Sequence, residues 1–179
     1  CAGRGAAGAY APRRSRMKLL FVIHQYFPQC HSGTEQYCRA VAREATRRGH
    51  DVTILAVDEE GRITRNELQA ALKPETSIVS LMHANNEIGT IHPIEEIGAL
   101  LRGRDSVVFH VDAAQTLGKH EVNVEKMGID LLAFPCHKGL YGPMGTGALY
   151  VRPGLDLDFF REGGTGFRGE SEIHPDEMP

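Results

Sequence analysis

Residues 107–115, VVFHVDAAQ, decide the fold class of this chain. The first five form a short apolar run that is typical of a buried parallel strand, and Asp112 follows directly. Comparable runs recur at residues 18–24, 51–57, 77–82, 131–134 and 147–151. Helical patterns separate several of them, at residues 35–48, 67–72 and 94–101. Strands that alternate with helices predict an α/β fold with a mostly parallel sheet and flanking helices.

The composition is that of an ordinary globular protein. Of the 179 residues, 41% are hydrophobic and 24% are charged, so the chain can bury a core. A formal net charge of -3 gives no reason to expect nucleic acid or an anionic membrane as a partner. No apolar run approaches the length that spans a bilayer. The four cysteines form no CxxC pair, which favours reduced thiols and a cytoplasmic location.

The two ends differ from the rest of the chain. Residues 1–16 are rich in Ala, Gly and Arg and lack the apolar stretch of a signal peptide, so they predict a disordered extension before Met17. Residues 162–179 are rich in Gly, acidic residues and Pro, which is typical of a loop or tail. Between these ends we expect two segments, residues 17–55 and residues 56–161.

Three polar stretches follow strands of the predicted sheet. They are HANNEIGT at residues 83–90, HVDAAQ at 110–115 and PCHKGLYGPMGTG at 135–147. Because open α/β sheets bind ligands at the carboxyl ends of their strands, we expect all three at one edge, with Asp112 facing a cofactor crevice. Four glycines set a tight backbone path around Lys138. The spacing of His83, His92 and His110 matches no zinc motif, so no metal site is predicted.

The same stretches resemble consecutive blocks of the class V aminotransferase and cysteine desulfurase family. The matching blocks are MHANNEIGTIHPIEEIG, FHVDAAQTLGK and HKGLYGPMGTGALYVR, flanked by VDEEGRITRNELQAALKPETSIVS and REGGTGFRGESEIHPDEMP. The resemblance runs from about residue 56 to residue 179 and implies the central part of a pyridoxal-phosphate enzyme. The fold it implies is an incomplete large domain of fold type I.

The resemblance also implies which residues hold pyridoxal 5'-phosphate. Lys138 matches the lysine that attaches the cofactor covalently, and Asp112 matches the carboxylate that keeps its pyridine nitrogen protonated. Gln115 matches the residue that hydrogen-bonds the phenolic oxygen, and Asn86 matches a further polar contact. His137 matches the histidine that helps to hold the phosphate. Any one of these residues has an ordinary interpretation as a turn, cap or solvated side chain, and only their joint pattern favours a site.

The chain departs from the family in several places. Pro135 stands where the family has Ser or Thr on the cofactor phosphate, and proline has neither a hydroxyl nor an N–H to donate. The glycine-threonine phosphate loop and the ring-stacking histidine of the family do not appear in the sequence. The family's sulfur-accepting cysteine and C-terminal domain would lie beyond Pro179.

The family reaction removes sulfur from cysteine to give alanine, with cysteine or selenocysteine as the substrate and a homodimer as the assembly. Since the sulfur-accepting cysteine and C-terminal domain are expected beyond this chain, we expect the reaction to be impaired or absent in the chain taken alone.

A second resemblance covers the front of the chain. Residues 17–55 resemble the start of a family 4-type GT-B glycosyltransferase, in which Gly33 and Thr34 would line a phosphate-binding loop. The chain would then be a chimera with its seam near residues 50–57. Two alternatives to the pyridoxal-phosphate enzyme therefore stay open. One is a glycosyltransferase fragment, and the other is a non-catalytic α/β fragment.

Overall fold

The computed structural model describes residues 16–23, 33–56 and 61–157. The predicted tail and all but Arg16 of the predicted extension lie outside these ranges. The elements are β1 Lys18–Ile23, α1 Gly33–Arg47, β2 Asp51–Ala56, α2 Arg65–Ala71, β3 Thr76–Met82, α3 Ile94–Leu101, β4 Val108–Asp112, β5 Leu131–Pro135 and β6 Gly147–Val151. Among these helices, none has the length and apolar character that crossing a membrane requires.

The six strands of the described ranges form one sheet in the order β2-β1-β3-β4-β5-β6. Strands β1 to β5 pair in parallel, and β6 runs antiparallel to β5. A parallel neighbour requires a crossover, whereas the loop between β5 and β6 carries no helix, so β6 returns antiparallel. The predicted α/β fold with a mostly parallel sheet and flanking helices is confirmed.

Strand β1 lies inside the sheet, between β2 and β3. Its register pairs Leu20 with Val79 of β3. Leu20 and Val22 are 1% and 3% exposed and share one core cluster with Val79 and Leu81. Burying one such side chain contributes roughly 1.5–3 kcal/mol relative to its exposure. The 17–55 segment and the residues after it are therefore held by a common core.

Residues next to the helix ends determine where α2 begins and where α1 ends. The Thr64 hydroxyl accepts a hydrogen bond from the Glu67 N–H, and the Glu67 carboxylate accepts one from the Thr64 N–H at 2.8 Å. This capping box starts α2 at Arg65, two residues before the predicted start. Helix α1 is followed by Gly49 at φ +89, as the sequence predicts for a glycine that ends a helix.

Helix α3 packs closely on the segment that leads into β5. A Cβ atom added to Gly98 would lie 1.8 Å from the carbonyl oxygen of Met127 and 3.5 Å from Cα of Gly128. Only a glycine permits this approach of helix to backbone. The contact fixes where the chain enters β5, and thereby the position of the loop that follows β5.

We expect Gly98→Ala to lower the free energy of unfolding by about 1–3 kcal/mol, because the added methyl group overlaps the Met127 carbonyl in a packed contact. Without that contact the substitution would stabilise the helix by roughly 0.5–1 kcal/mol, since glycine is a poor helix former. The sign of the change in a urea titration therefore tests the contact.

The matched control is Ala99→Gly at the adjacent exposed position. It should lower stability by roughly 0.5–1 kcal/mol through helix propensity alone. A Gly98→Ala variant more stable than the parent chain would contradict the close packing.

Candidate functional site

The three polar stretches meet at the carboxyl edge of the sheet. The strand register aligns Met82 of β3 with Asp112 of β4, and Asp112 with Ala133 of β5. Just beyond, the His83 N–H donates to the Asp112 carbonyl at 2.8 Å, and the Ala113 N–H donates to the Ala133 carbonyl at 2.9 Å. The prediction that these stretches share one edge of the sheet is confirmed.

A cavity of about 660 Å³ opens over β4, β5 and β6 at this edge. Asp112 and His137 line it, together with Pro135 and Gly147 of the β5–β6 pair. Small-molecule and cofactor sites commonly have volumes of roughly 300–1,000 Å³. A carboxylate and an imidazole thus face a space of the size that a cofactor occupies.

Asp112 is held in place by the turn that follows it. Its Oδ1 atom accepts a hydrogen bond from the Ala114 N–H at 2.8 Å. The other carboxylate oxygen, Oδ2, makes no hydrogen bond within the described ranges and can accept one from a ligand. The strand end and the turn together fix the carboxylate while leaving it half-buried at the cavity wall.

The loop that carries Lys138 touches the loop after β4, backbone against backbone. A Cβ atom on Gly139 would lie 2.2 Å from the Leu117 carbonyl oxygen, and one on Gly118, at φ +83, would lie 2.5 Å from the Gly139 carbonyl oxygen. No larger residue allows both approaches. The contact places Lys138 beside the loop that carries Gln115.

The Lys138 loop is also closed by its own hydrogen bonds. The Gly142 N–H donates to the Cys136 carbonyl at 2.7 Å, and the Cys136 N–H donates to the Thr146 carbonyl at 2.9 Å. The Tyr141 N–H donates to the Lys138 carbonyl at 3.1 Å, and Tyr141 has a positive φ of 55. Positive φ is uncommon for a residue with a side chain, so these bonds hold the backbone in a strained path around the lysine.

Only two of the five predicted site residues line the cavity at the carboxyl edge of the sheet. Asp112 and His137 line the same cavity. Gln115 and Lys138 are half-buried in the two adjoining loops and are not among the lining residues of that cavity. Asn86 is exposed in the turn after β3. The structure therefore brings two of the five together and places the others around them.

The turn that presents Asn86 depends on its neighbour Asn85. Asn85 is 3% exposed, and its Oδ1 accepts hydrogen bonds from the N–H groups of Glu87 and Ile88, both at 2.8 Å. An asparagine that bonds the backbone two and three residues on forms a turn by itself. Asn85 is thus a structural residue, which leaves Asn86 as the asparagine accessible to a ligand.

Sequence reasoning missed Ser80 and His110. Ser80 Oγ lies 2.8 Å from His110 Nδ1, across the β3–β4 pair. A second cavity of about 350 Å³ lies between α1 and the sheet, and both Ser80 and His110 line it. The spacing of His110 and Asp112 signals that they share a face of β4. Their pairing with Ser80 needs the register of two strands, which no local pattern specifies.

Two histidines near the site have lowered pKa values. Burial lowers the pKa of His83, and the charge of His120 lowers it further. His83 is 5% exposed, and its Nδ1 makes no hydrogen bond within the described ranges. Burial also lowers the pKa of His110, although the Asp112 carboxylate acts in the opposite direction.

Within the part of the chain that the structure describes, no three His, Cys, Asp or Glu side chains are grouped to hold a metal ion.

Comparison with known proteins gives one family. The aminotransferase class-V family model matches residues 32–172. This match begins inside the 17–55 segment, whose resemblance to a glycosyltransferase stays a prediction.

Two of the similar proteins are named as cysteine desulfurases. The chain is 49% identical over 139 residues to a protein named "Cysteine desulfurase, mitochondrial" from Eremothecium gossypii. It is 50% identical over 129 residues to a "Cysteine desulfurase IscS" from Ectopseudomonas mendocina. These alignments cover 76% and 71% of this chain but only 28% and 31% of the relatives, so the chain spans about a third of their length.

One of the similar solved structures is described as "SspA in complex with cysteine". It superposes with a TM-score of 0.64 at 33% sequence identity. The superposition covers 77% of this chain and 37% of the other. The sheet and flanking helices described above are therefore those of a known fold.

We expect the free energy of unfolding to fall as pH falls below 6.5, the ordinary histidine pKa. Since burial lowers the folded-state pKa of His83 and His110, the unfolded chain binds more protons in this range. Well above 6.5, near pH 8, both states leave these rings neutral, so the two histidines add no pH dependence there. Urea titrations at about pH 8, 7 and 5.5 would measure the slope.

His83→Gln and His110→Gln should each reduce the fall of the free energy of unfolding below pH 6.5. Near pH 8 the free energy of unfolding of both variants should not depend on pH. A slope in both variants as steep as that of the parent chain would show that neither ring is held neutral by burial.

Proposed function

Because the chain belongs to the class V aminotransferase family, we propose that it binds pyridoxal 5'-phosphate and forms part of a cysteine desulfurase. Family membership rests on the match over residues 32–172. The observation that carries the proposal is the cavity that Asp112 and His137 line together at the carboxyl edge of the sheet. Ligands of open α/β sheets bind at this edge.

The residues around the cavity fit the cofactor. A protonated pyridine nitrogen is stabilised by a nearby carboxylate, which Asp112 supplies, and a phosphate is bound by an imidazole N–H, which His137 supplies. Gly147 also lines the cavity, and a Cβ atom there would lie 2.9 Å from the Phe134 carbonyl oxygen. Pro135 also lines the cavity but offers no donor, so His137 carries more of the phosphate contact in this chain.

When bound, pyridoxal phosphate supplies an electron sink for the carbanion formed at the substrate Cα. The Lys138 amine would hold the cofactor through its aldehyde group, and as a free amine it could hold the proton that leaves the substrate Cα. Asp112 keeps the ring nitrogen protonated, which maintains the ring as an acceptor of electrons. Gln115, in the loop beside Lys138, would donate a hydrogen bond to the phenolic oxygen, and Asn86 would add a polar contact from the turn after β3.

The proposed substrate is cysteine, with selenocysteine as the alternative, and the proposed product is alanine. Two relatives are named cysteine desulfurases, and a similar structure is described as a complex with cysteine. In the family, a cysteine that accepts the sulfur completes the reaction, and a homodimer completes the site. A cytoplasmic location also stays a prediction, and one relative is named as mitochondrial.

We expect pyridoxal phosphate added to the purified chain to label Lys138 upon borohydride reduction. His137, the residue before Lys138, lines the cavity, so a cofactor bound there would lie near the Lys138 amine. Labelling of Lys138 should therefore exceed labelling of surface lysines at least about tenfold, the factor that a local binding free energy of roughly 1.4 kcal/mol gives. Peptide mapping by mass spectrometry would locate the label, and absorbance would follow binding.

Lys138→Ala should abolish the specific label, and Asp112→Asn should weaken binding. Lys73→Ala, at an exposed lysine in the turn before β3, is the matched control and should label Lys138 as the parent chain does. Label spread evenly over surface lysines in the parent chain would mean that the pocket does not assemble.

A further inference from the structure

Ser80 and His110 form a polar pair beneath the cofactor edge of the sheet. The register of β3 and β4 sets them opposite each other, and Ser80 Oγ lies 2.8 Å from His110 Nδ1. Neither residue is among the cofactor contacts named above. His110 precedes Asp112 by two residues, so both side chains lie on the same face of β4. His110 therefore lies on the same face of β4 as the proposed cofactor carboxylate, and Ser80 is its neighbour on β3.

His110 and Asp112 are the residues that the two cavities share. Both line the 660 Å³ cavity over β4, β5 and β6, and both line the 350 Å³ cavity between α1 and the sheet. Ser80 lines only the second cavity of these two. His110 and Asp112 thus lie where the proposed cofactor space adjoins a second space under α1.

The second cavity matters because it offers water a route to Asp112. At about 350 Å³ it exceeds by far the ~30 Å³ that one water molecule occupies in the liquid. Water in contact with the carboxylate would raise the local dielectric and weaken its attraction for a protonated ring nitrogen. A side chain that occupies the space next to Asp112 would limit how much water reaches the carboxylate.

We propose that Ser80 and His110 act together as positioning residues for Asp112. The Ser80 hydroxyl fixes the imidazole, and the fixed imidazole occupies the space beside the carboxylate, where the two cavities adjoin. This inference rests on the proposed function, because it assigns His110 a part in how firmly Asp112 holds the ring nitrogen of the cofactor.

The surroundings of His110 agree with a neutral, fixed ring. Burial lowers its pKa, and Asp112 is the one charged group of the described ranges that acts on it. The elements packed over the second cavity contribute Cys38 and Val41 from α1 and Leu131 from β5. The Ser80 hydroxyl can donate to Nδ1 or accept from it, so this contact can fix the orientation of a neutral ring in either tautomer.

The test uses pyridoxine 5'-phosphate, which retains the ring nitrogen and the phosphate but has no aldehyde. Its binding to the full chain therefore does not require attachment to Lys138. Calorimetry gives the Kd for the parent chain and for Ser80→Ala, His110→Gln, Asp112→Asn and the double variant His110→Gln/Asp112→Asn. Thermal unfolding of every variant checks that it is folded.

Ser77→Ala is the matched control. It is the same change on the same strand but on the opposite face, where the Ser77 hydroxyl is exposed and lies 3.4 Å from the Glu75 carbonyl oxygen. We expect Ser77→Ala to bind like the parent chain. Ser80→Ala and His110→Gln should each weaken binding about three- to tenfold, the range that the net free energy of one hydrogen bond gives.

The double variant separates positioning from a merely structural role. If His110 acts through Asp112, then His110→Gln should add no further loss once Asp112 is replaced by Asn. Independent, additive losses would overturn the inference, as would an unchanged Kd for His110→Gln.

A parent chain that binds no pyridoxine 5'-phosphate would contradict the proposed function, and NMR of His110 would then test the pair on its own. Asp112→Asn should lower the His110 pKa, because the carboxylate now raises it. Ser80→Ala should shift the tautomer ratio seen in the ring nitrogen signals, and Ser77→Ala should leave both unchanged. If the His110 pKa does not change in Asp112→Asn and the tautomer ratio does not change in Ser80→Ala, then His110 is not coupled to Asp112 or to Ser80.

Discussion

The register of the parallel strands β3, β4 and β5 is the constraint on which the rest of this structure depends. It sets Met82, Asp112 and Ala133 side by side, so the three polar stretches that follow the strands leave the sheet at one edge. A slip of one residue in β4 would turn Asp112 to the opposite face of the sheet. The core residues of these strands, such as Val79 and Phe109, are fully buried and make such a slip costly.

Glycines then bring the loops at this edge together. Gly118 and Gly139 let the loop after β4 touch the loop after β5, and Gly98 lets α3 approach the segment that enters β5. In each case a carbonyl oxygen occupies the space that a Cβ would need. The position of Lys138 relative to Asp112 therefore depends on residues that have no side chain and could not themselves bind a ligand.

The face of β4 that carries Asp112 also carries His110, and Ser80 lies opposite His110 on β3. Ser80 satisfies one ring nitrogen of His110, so a histidine can stay half-buried there at a low energetic cost. The arrangement links the proposed cofactor space to the space under α1, because both are bounded by His110 and Asp112. A front segment that supplies β1 and α1 thus shapes the surroundings of a carboxylate that lies far along the chain.

The sequence by itself determined the elements and their shared edge. Apolar runs and helix signals are local, so α3 and β6 have the bounds that were predicted, and parallel strands must end on one side. It did not determine the Ser80–His110 pair, whose members are 30 positions apart, or that Asp112 and His137 line one cavity while Lys138 does not. Those features depend on strand register and loop contacts, and only the packing of distant residues against each other decides them.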